Sequence, residues 1–542
     1  MKKYLYNLFA KASEKYPGLK NVSLSFEVPK VESFGDYSTN AAMLLTKELK
    51  KNPRIIAQEI IDAFELDKNV IEKIEIAGPG FINFFFNPAY IPGIVKEISS
   101  KVDNFGKSDI NTGKTANVEF VSANPTGPLT VGHGRNAILG DTVANILEWT
   151  GYKVDREYYF NNAGRQMRVL GESVKYRYLQ ILGDDVELPD THYQGEYIKE
   201  IAQELIDEKQ DSLRDETAEG IFKAKAEEVI FKDIKNTLES LNVIHNLFYN
   251  EDSLYKEGKI KALLKAFGDK NLIYEKDGAV WFKFTEFGKE NDKVIVKATG
   301  EPTYRLPDIA YHITKFERNY DLIIDVFGSD HNDTYPDVKI GLQEMGYDIN
   351  KVKVLIHQFV TILEDGEIVK MSTRKANYIT LDQLIEEVGK DVVRYFFNMR
   401  DISSHMNFDL SLAKKQSDEN PVFYLQYALA RICSVLNLAE KVILAPSYEH
   451  LDLLKTNEEQ QLLKLLYKFE EEIEIAASLC EPHRICNYLE NLATGFHRFY
   501  TFCRVLGVEK ELSEARIALI IAVKIVIKNG LTILGVSAPD RM

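Results

Sequence analysis

Cysteine is scarce. Only four stand in 542 residues, Cys433, Cys480, Cys486 and Cys503. All lie on helical patterns near the C-terminal end, without paired metal-ligand spacing, so they give no structural zinc site and read as buried thiols in a reducing cytoplasm. Long apolar runs are missing as well. No uninterrupted stretch reaches about 20 residues, so no transmembrane helix is expected. The opening Met1-Lys-Lys-Tyr-Leu-Tyr-Asn7 has charge but no sustained apolar core, unlike a signal peptide. Positive charge is in deficit, with 67 Lys and Arg against 82 Asp and Glu, a net charge of −15. That excludes a generic nucleic-acid binder, while leaving room for local positive potential. Residues 1 to 110 carry 15 basic and 14 acidic side chains, so the acidic excess lies downstream. Internal repeats and low-complexity linkers are also lacking, and domain boundaries must be read from changes of pattern. The 45% hydrophobic content can fill several cores, as a chain of this length requires.

The stretch from Asn117 to Trp149 carries the clearest local signal. Val118, Phe120 and Val121 read as a buried strand, which Asn124, Pro125, Gly127 and Pro128 then stop. Leu139, Val143, Ile146 and Leu147 restore the spacing of one helix face. His133 therefore stands at a helix start, between Gly132 and Gly134. Such a helix start offers unpaired N–H groups and partial positive charge to a phosphate. The plainer alternative is a tight strand-to-helix turn with an incidental histidine. Farther on, Glu367-Ile-Val-Lys-Met-Ser-Thr-Arg-Lys-Ala-Asn377 puts Lys370, Arg374 and Lys375 on a small-residue loop. Positive charge there suits a phosphate transition state, although a cationic run is commonly just a solvated loop.

In this order, Ala123-Asn-Pro-Thr-Gly-Pro-Leu-Thr-Val-Gly-His133 and Lys370-Met-Ser-Thr-Arg374 resemble the two signature motifs of class I aminoacyl-tRNA synthetases. The stretches 301 to 312 (Glu-Pro-Thr-Tyr-Arg-Leu-Pro-Asp-Ile-Ala-Tyr-His) and 420 to 428 (Asn-Pro-Val-Phe-Tyr-Leu-Gln-Tyr-Ala), with the terminal Gly-Val-Ser-Ala-Pro-Asp-Arg-Met, resemble arginyl-tRNA synthetase of bacterial type. The resemblance runs nearly end to end.

It implies activation of L-arginine by ATP, entering as its Mg2+ complex, and transfer of arginine to tRNA(Arg). No prosthetic group is expected. By the resemblance, the signature motif comprises Ala123, Asn124, Pro125, Thr126, Gly127, Pro128, Leu129, Thr130, Val131, Gly132 and His133. His133, Lys370 and Thr130 are its catalytic residues. Pro125, Gly127, Gly132, His133, Gly328, Asp330, Lys370, Met371 and Ser372 hold ATP. Glu119, Ser122, Asn124, His133, Tyr304 and Asp308 hold arginine. Glu119 and Asp308 face the guanidinium, whose five donors suit carboxylates; Tyr304 packs beside it, and Asn124 takes the α-amino group. Glu119 has an alternative, a buried structural ion pair with an arginine, because a carboxylate in an apolar strand needs a partner. Asp330 has one too, a helix cap. The chain departs from the family at Thr130, where the motif has its first histidine, and at Thr373, where the loop has its second lysine. Asn162 and Arg165 depart as well.

The expected architecture is multidomain α/β. Residues 1 to 108 form a small α+β domain, which the resemblance places at the outer corner of tRNA. A Rossmann-type catalytic domain follows at 109 to 380, with a helical insertion at about 186 to 265. Residues 381 to 542 form an all-α bundle for the anticodon. An extended run is read at Val22 to Val28, and a helix cap at Ser38 or Thr39. Phe84 to Phe86 read as core. A cytoplasmic monomer without membrane contact is expected. The rivals are a class I synthetase for another amino acid and a non-catalytic tRNA-binding relative. A cysteine-specific enzyme would need zinc near the nucleotide fold, and a lysine-specific one would not need Tyr304 with Asp308.

Overall fold

Thr115–Glu119 becomes the middle strand of a sheet whose two faces are both buried, Ala116 and Val118 on one and Asn117 and Glu119 on the other. The computed structural model describes residues 1–29, 31–369 and 379–541. The sheet has five parallel strands, in the order Val352–His357, Leu322–Gly328, Thr115–Glu119, Lys153–Phe160, Leu247–Asn250. From the middle strand the chain builds outward to 153 and 247. It then returns to build 322 and 352 on the other side. The order therefore reverses between Thr115–Glu119 and Leu322–Gly328, where a crevice opens at the carboxyl ends of the strands.

The stretch read as a helical insertion differs in one respect. Its helices Glu196–Lys209 and Lys223–Ser240 are present. Leu247–Asn250, however, is the edge strand of the central sheet, so the fold resumes well before 265. A four-residue strand in charged surroundings is too short to show a period. Three antiparallel strands follow, Ile273–Lys276, Ala279–Phe282 and Lys293–Val296. A separate hairpin joins Val360–Glu364 to Glu367–Ile368. Asp365 and Gly366 both have positive φ, as its two-residue turn requires.

The N-terminal domain has three antiparallel strands, with Phe81–Phe86 between Tyr37–Thr39 and Ile71–Ala77. Phe84 and Phe86 fill its core, whereas Phe85 lies under Lys73. Among the described residues, the extended run at Val22 to Val28 pairs only through Glu27 and Ser38; Pro29, which lacks an N–H, follows at once. Ser38 and Thr39 end a strand; Asn40 stands at the cap position of the next short helix, but it is the Thr39 hydroxyl that accepts the N–H of Ala41, the first helical residue, at 3.3 Å. This domain rests on the C-terminal helices. Asp36 pairs with Lys464 at 2.6 Å, Lys2 with Glu471, and Phe105 stacks on Phe469.

The C-terminal part is built from helices, among them Pro421–Lys441, Asn457–Leu479, His483–Phe502 and Lys510–Leu534. Two of these, Pro421–Lys441 and Lys510–Leu534, are long and apolar enough to cross a membrane by length and composition alone. The apolar window of the second is 72% buried against its neighbours, which a bundle core explains. All four cysteines are buried and free.

Candidate active site

Beyond Glu119 the chain turns sharply. Val121 (φ 66°) and Ser122 (φ 45°) both adopt left-handed backbone, which a β-branched residue rarely tolerates. Three contacts hold them there. The Val121 N–H donates to Asn136 Oδ1 at 2.6 Å. Ser122 Oγ accepts the Tyr159 N–H at 3.1 Å and donates to Glu119 Oε1 at 2.9 Å. Asn136 also donates to the Val326 carbonyl at 2.8 Å and touches His357 Nε2 at 3.2 Å. One asparagine thus ties the ends of three neighbouring strands.

The turn delivers the helix Val131–Trp149. Thr130 caps it: its hydroxyl accepts the His133 N–H at 3.4 Å, and its own N–H donates to His133 Nδ1 at 3.2 Å. Nδ1 is therefore an acceptor and Nε2 carries the ring proton. Burial lowers the His133 pKa, with Asp330 opposing. Burial therefore favours the neutral imidazole, a donor through Nε2–H. The loop before the helix is braced from two sides. Asn124 accepts the Asn161 N–H and donates to Gln166, each at 2.9 Å. Tyr197, on the helix Glu196–Lys209, donates its hydroxyl to the Thr126 carbonyl at 2.8 Å. A Cβ on Gly127 would meet that hydroxyl at 2.9 Å, so only glycine allows so close an approach.

On one face of the sheet the strand register puts three acids in a row. Asp325 stands opposite Glu119, and Glu119 opposite Glu157. All three are buried, and like charges directly across strands repel. The helix Arg305–Glu317 answers them with a row of bases. Lys315, fully buried, bridges Glu119 at 2.5 Å and Asp325 at 2.6 Å. His312 reaches Asp325 at 3.0 Å, and Arg318, just past the helix end, holds Glu157 at 2.9 Å. Burial works against the charges of Lys315 and His312, but the facing carboxylates outweigh it and raise both pKa values. Burial alone would raise that of Asp325; Lys315 and His312 hold it low. The internal partner of Glu119 is thus a lysine, not the arginine considered from sequence.

Two further acids lack such partners. Asp308 opens the same helix one turn after Tyr304, and its backbone N–H donates to the Tyr304 carbonyl at 3.1 Å. Its carboxyl is pushed up to about 7 by burial, with His312 opposing and Glu251, Glu119 and Asp325 adding to the rise. Glu251 follows the edge strand, at the carboxyl end of the sheet. It accepts the Tyr159 hydroxyl at 2.7 Å and the Tyr255 hydroxyl at 3.4 Å. Among the described residues neither Asp308 nor Glu251 has an ion-pair partner.

One cavity of about 810 Å³ collects these groups. Of the sequence-derived residues, Glu119, Ser122, Ala123, Asn124, Thr130, Val131, Gly132, His133, Tyr304, Asp308, Gly328 and Asp330 line it. Pro125 and Gly127 stand outside its lining, in the braced loop. A Cβ at Gly328 would meet Asp330 Oδ1 at 2.7 Å, a contact the exposed carboxylate can relieve by turning. The Asp330 side chain caps no helix. Lys370, Met371, Ser372, Thr373, Arg374, Lys375 and Asn377 lie outside the described residues. Sequence reasoning missed Glu251, Lys315, Asp325, Asn136 and Tyr197. Asp308, His312 and Lys315 do carry a signal, a polar stripe at i, i+4 and i+7 on an apolar helix.

Comparison with known proteins accounts for almost the whole chain. The Arginyl tRNA synthetase N terminal domain matches residues 3–86, the catalytic domain of class I (R) tRNA synthetases matches 95–404, and the DALR anticodon binding domain matches 425–542. An arginine–tRNA ligase from Desulfotalea psychrophila is 50% identical over 519 residues, covering 95% of this chain and 94% of its own. One from Salinibacter ruber is 50% identical over 538 residues, covering 96% of each. Among solved structures, one from Campylobacter jejuni is 31% identical with a TM-score of 0.77, covering 84% of this chain and 100% of that one. The Thermus thermophilus arginyl-tRNA synthetase shares the fold across 100% of both chains, with a TM-score of 0.79 at 21% identity.

Proposed function

The chain belongs to the arginyl-tRNA synthetase family, and from that premise we propose that its central cavity seats arginine and ATP side by side for adenylate formation. The protein is an arginine–tRNA ligase. The arginine carboxylate attacks the α-phosphorus of ATP, the bond to the β-phosphate oxygen breaks, and pyrophosphate leaves. The 3′-terminal ribose hydroxyl of tRNA(Arg) then attacks the acyl carbon and AMP departs. Neither step uses a protein nucleophile, so the residues act by position and charge. ATP enters as its magnesium complex, and the metal belongs to the substrate.

The carrying observation is the polarity of the cavity. Asp308 and Glu119 mark an acidic end, with Tyr304 at its edge; this end suits a guanidinium. His133 and the glycine-flanked helix start line the same cavity, and a helix start suits the α-phosphate. There the His133 Nε2–H donates to developing phosphate charge, and Thr130 keeps the ring turned for it. Asn124 takes the α-amino group, and Ser122 orients Glu119. Gly328 and Asp330 end their strand beside the ribose. Lys370, with Met371 and Ser372, brings charge to the phosphates; its motif supports that role.

Contacts to tRNA divide between residues 1 to 108 and the C-terminal bundle from 381. On the bundle, Tyr427 is 39% exposed, and the Arg431 guanidinium lies 4.7 Å from its ring and 4.8 Å from that of Tyr500. Such a platform suits unstacked anticodon bases. Free buried thiols agree with a cytoplasmic setting, and the reading is of a monomer. The test is ATP–pyrophosphate exchange with each standard amino acid, with and without tRNA(Arg). Arginine alone should support exchange; equal exchange with lysine would overturn the reading of the acidic end.

A further inference from the structure

One turn into the helix Val131–Trp149, just past His133, the chain buries a cation. Arg135 is fully buried and, among the described residues, has no ion-pair partner. Burial pulls its pKa down to about 10, with Asp401 opposing, so it stays charged at neutral pH. Its guanidinium meets four backbone carbonyls. Nη1 donates to that of Gln358 at 2.8 Å, and Nη2 to those of Asp401, Ile402 and Ser404 at 3.2, 3.3 and 3.1 Å. An apolar side chain of similar volume would fill the space without the desolvation that a buried charge costs. What the charged fork adds is a grip on two separate segments.

Those segments are the roots of two strands. Val360–Glu364 pairs in parallel with Met406–Asp409, beginning with Val360 opposite Met406. Gln358 and Ser404 stand at equal distance before that first pair, so Arg135 holds both strands at one level. The first strand turns into Glu367–Ile368, from which the chain runs on to Lys370. Phe359 and Val360 line the cavity that Gly132 and His133 also line. The next helical residue, Asn136, touches His357 Nε2 at 3.2 Å, and His357 Nδ1 meets the same Gln358 carbonyl at 3.2 Å.

We propose that Arg135 is a positioning residue for adenylate formation: it fixes the Phe359–Val360 wall, and the hairpin beyond it, against the helix start that presents His133. This rests on the reading of His133 as a donor to the α-phosphate. It adds the group that keeps that donor and the wall in register. The planar fork sends one nitrogen to each strand root and so sets their spacing, which an ammonium on a flexible stem does not do. Misplacing reacting groups by about 1 Å can cost about 10²-fold in rate.

The test compares wild type, Arg135→Lys and Arg135→Met by ATP–pyrophosphate exchange with tRNA(Arg) present. Rates are counted per arginine-binding site, from calorimetric stoichiometry, so misfolded protein drops out. In both variants kcat per site should fall at least tenfold while the Kd for arginine stays within twofold. In a His133→Ala background, Arg135→Met should lower kcat by less than threefold, because the donor it positions is gone. A kcat per site less than tenfold below wild type in Arg135→Met would overturn the proposal, since a merely structural residue changes only the number of sites. So would a defect undiminished in the His133→Ala background. So would an Arg135→Lys variant at wild-type kcat, because the buried charge alone would then suffice. A His133→Ala variant with wild-type kcat would sink the reading of His133 instead, and the split between kcat and arginine affinity would decide the positioning role by itself. Should the Arg135 variants yield no arginine-binding protein, Ser404→Ala tests the same grip, because it removes only the hydroxyl bond to the Asp401 carbonyl at 2.7 Å. A kcat at least threefold lower at an unchanged thermal midpoint then supports the proposal, and anything closer to wild type overturns it.

Discussion

Lowering the pH from 8 to 6 should weaken arginine binding through one group, Asp308. Burial pushes its carboxyl up to about 7, and the neighbouring acids add to the rise against His312. Only the ionised form pairs with a guanidinium. With a pKa near 7, about nine-tenths is ionised at pH 8 and about one-tenth at pH 6. The apparent Kd should therefore rise about tenfold across that interval, because only the competent fraction binds. The sign for stability runs the other way. The empty folded site keeps its proton up to about pH 7, while the unfolded chain loses it near pH 4. Stability from this group is thus full below pH ~4 and is lost as pH climbs toward 7. Arginine reverses that loss, so its stabilising shift in thermal midpoint should be larger at pH 8 than at pH 6. Calorimetric titration at pH 6, 7 and 8 reads the affinity. Repeating pH 7 in buffers of different ionisation enthalpy reads proton release, which should be about half a proton per arginine. His357 sits at about 4, below this window. A Kd flat within twofold, or the same slope in Asp308→Asn, would refute the reasoning.

His133→Ala should lower kcat for adenylate formation by about 10²–10³ with arginine affinity kept within about twofold, as loss of a transition-state donor does; a normal kcat with raised KM would contradict that role. Tyr197→Phe removes the hydrogen bond to the Thr126 carbonyl, a net loss of about 1 kcal/mol. The KM for ATP should rise roughly fivefold, and arginine binding measured by calorimetry should not move. Gly535→Ala places a Cβ 2.3 Å from the Arg394 guanidinium at a φ of +68°, so the unfolding midpoint should drop, with a cost of at least about 2 kcal/mol.

Sequence carried the strand-turn-helix signature because its cues are local. A run of β-branched residues, a cluster of turn formers and a change of period all lie within some thirty positions, and the structure repeats them in order. The polar stripe of Asp308, His312 and Lys315 was legible in principle, because helix spacing alone places the three on one face. Its meaning was not. That Glu119 meets Lys315 and Asp325 depends on strand order, and strand order is set by pairings between residues about 200 positions apart. Glu251 was invisible for a related reason. It follows a four-residue strand in a charged, largely helical stretch, and only the parallel pairing with Lys153–Phe160 brings it to the crevice. The short edge strand also misled the reading of the insertion's extent. Thr130 looked like a lost charge in the sequence; the structure shows a cap that orients His133.

The buried Arg394 gives the molecule an order in time. Its guanidinium donates to the Leu534 carbonyl at 2.7 Å and the Leu241 carbonyl at 2.7 Å, and it pairs with Asp141 at 2.5 Å, on the helix that carries His133. Asn145, one turn along that helix, donates to the Ile533 carbonyl at 3.0 Å. The Leu534 and Ile533 carbonyls leave the ribosome about 400 residues after Val131, or roughly 40 s later at ~10 residues per second. A nascent chain therefore holds its nucleotide-binding helix for most of its synthesis without the contacts that fix the far side of it. The far side of the helix that carries His133 is thus completed only after the C-terminal bundle has been made, and a ribosome that stops short of Leu534 releases a chain whose defect reaches the central cavity as well as the bundle.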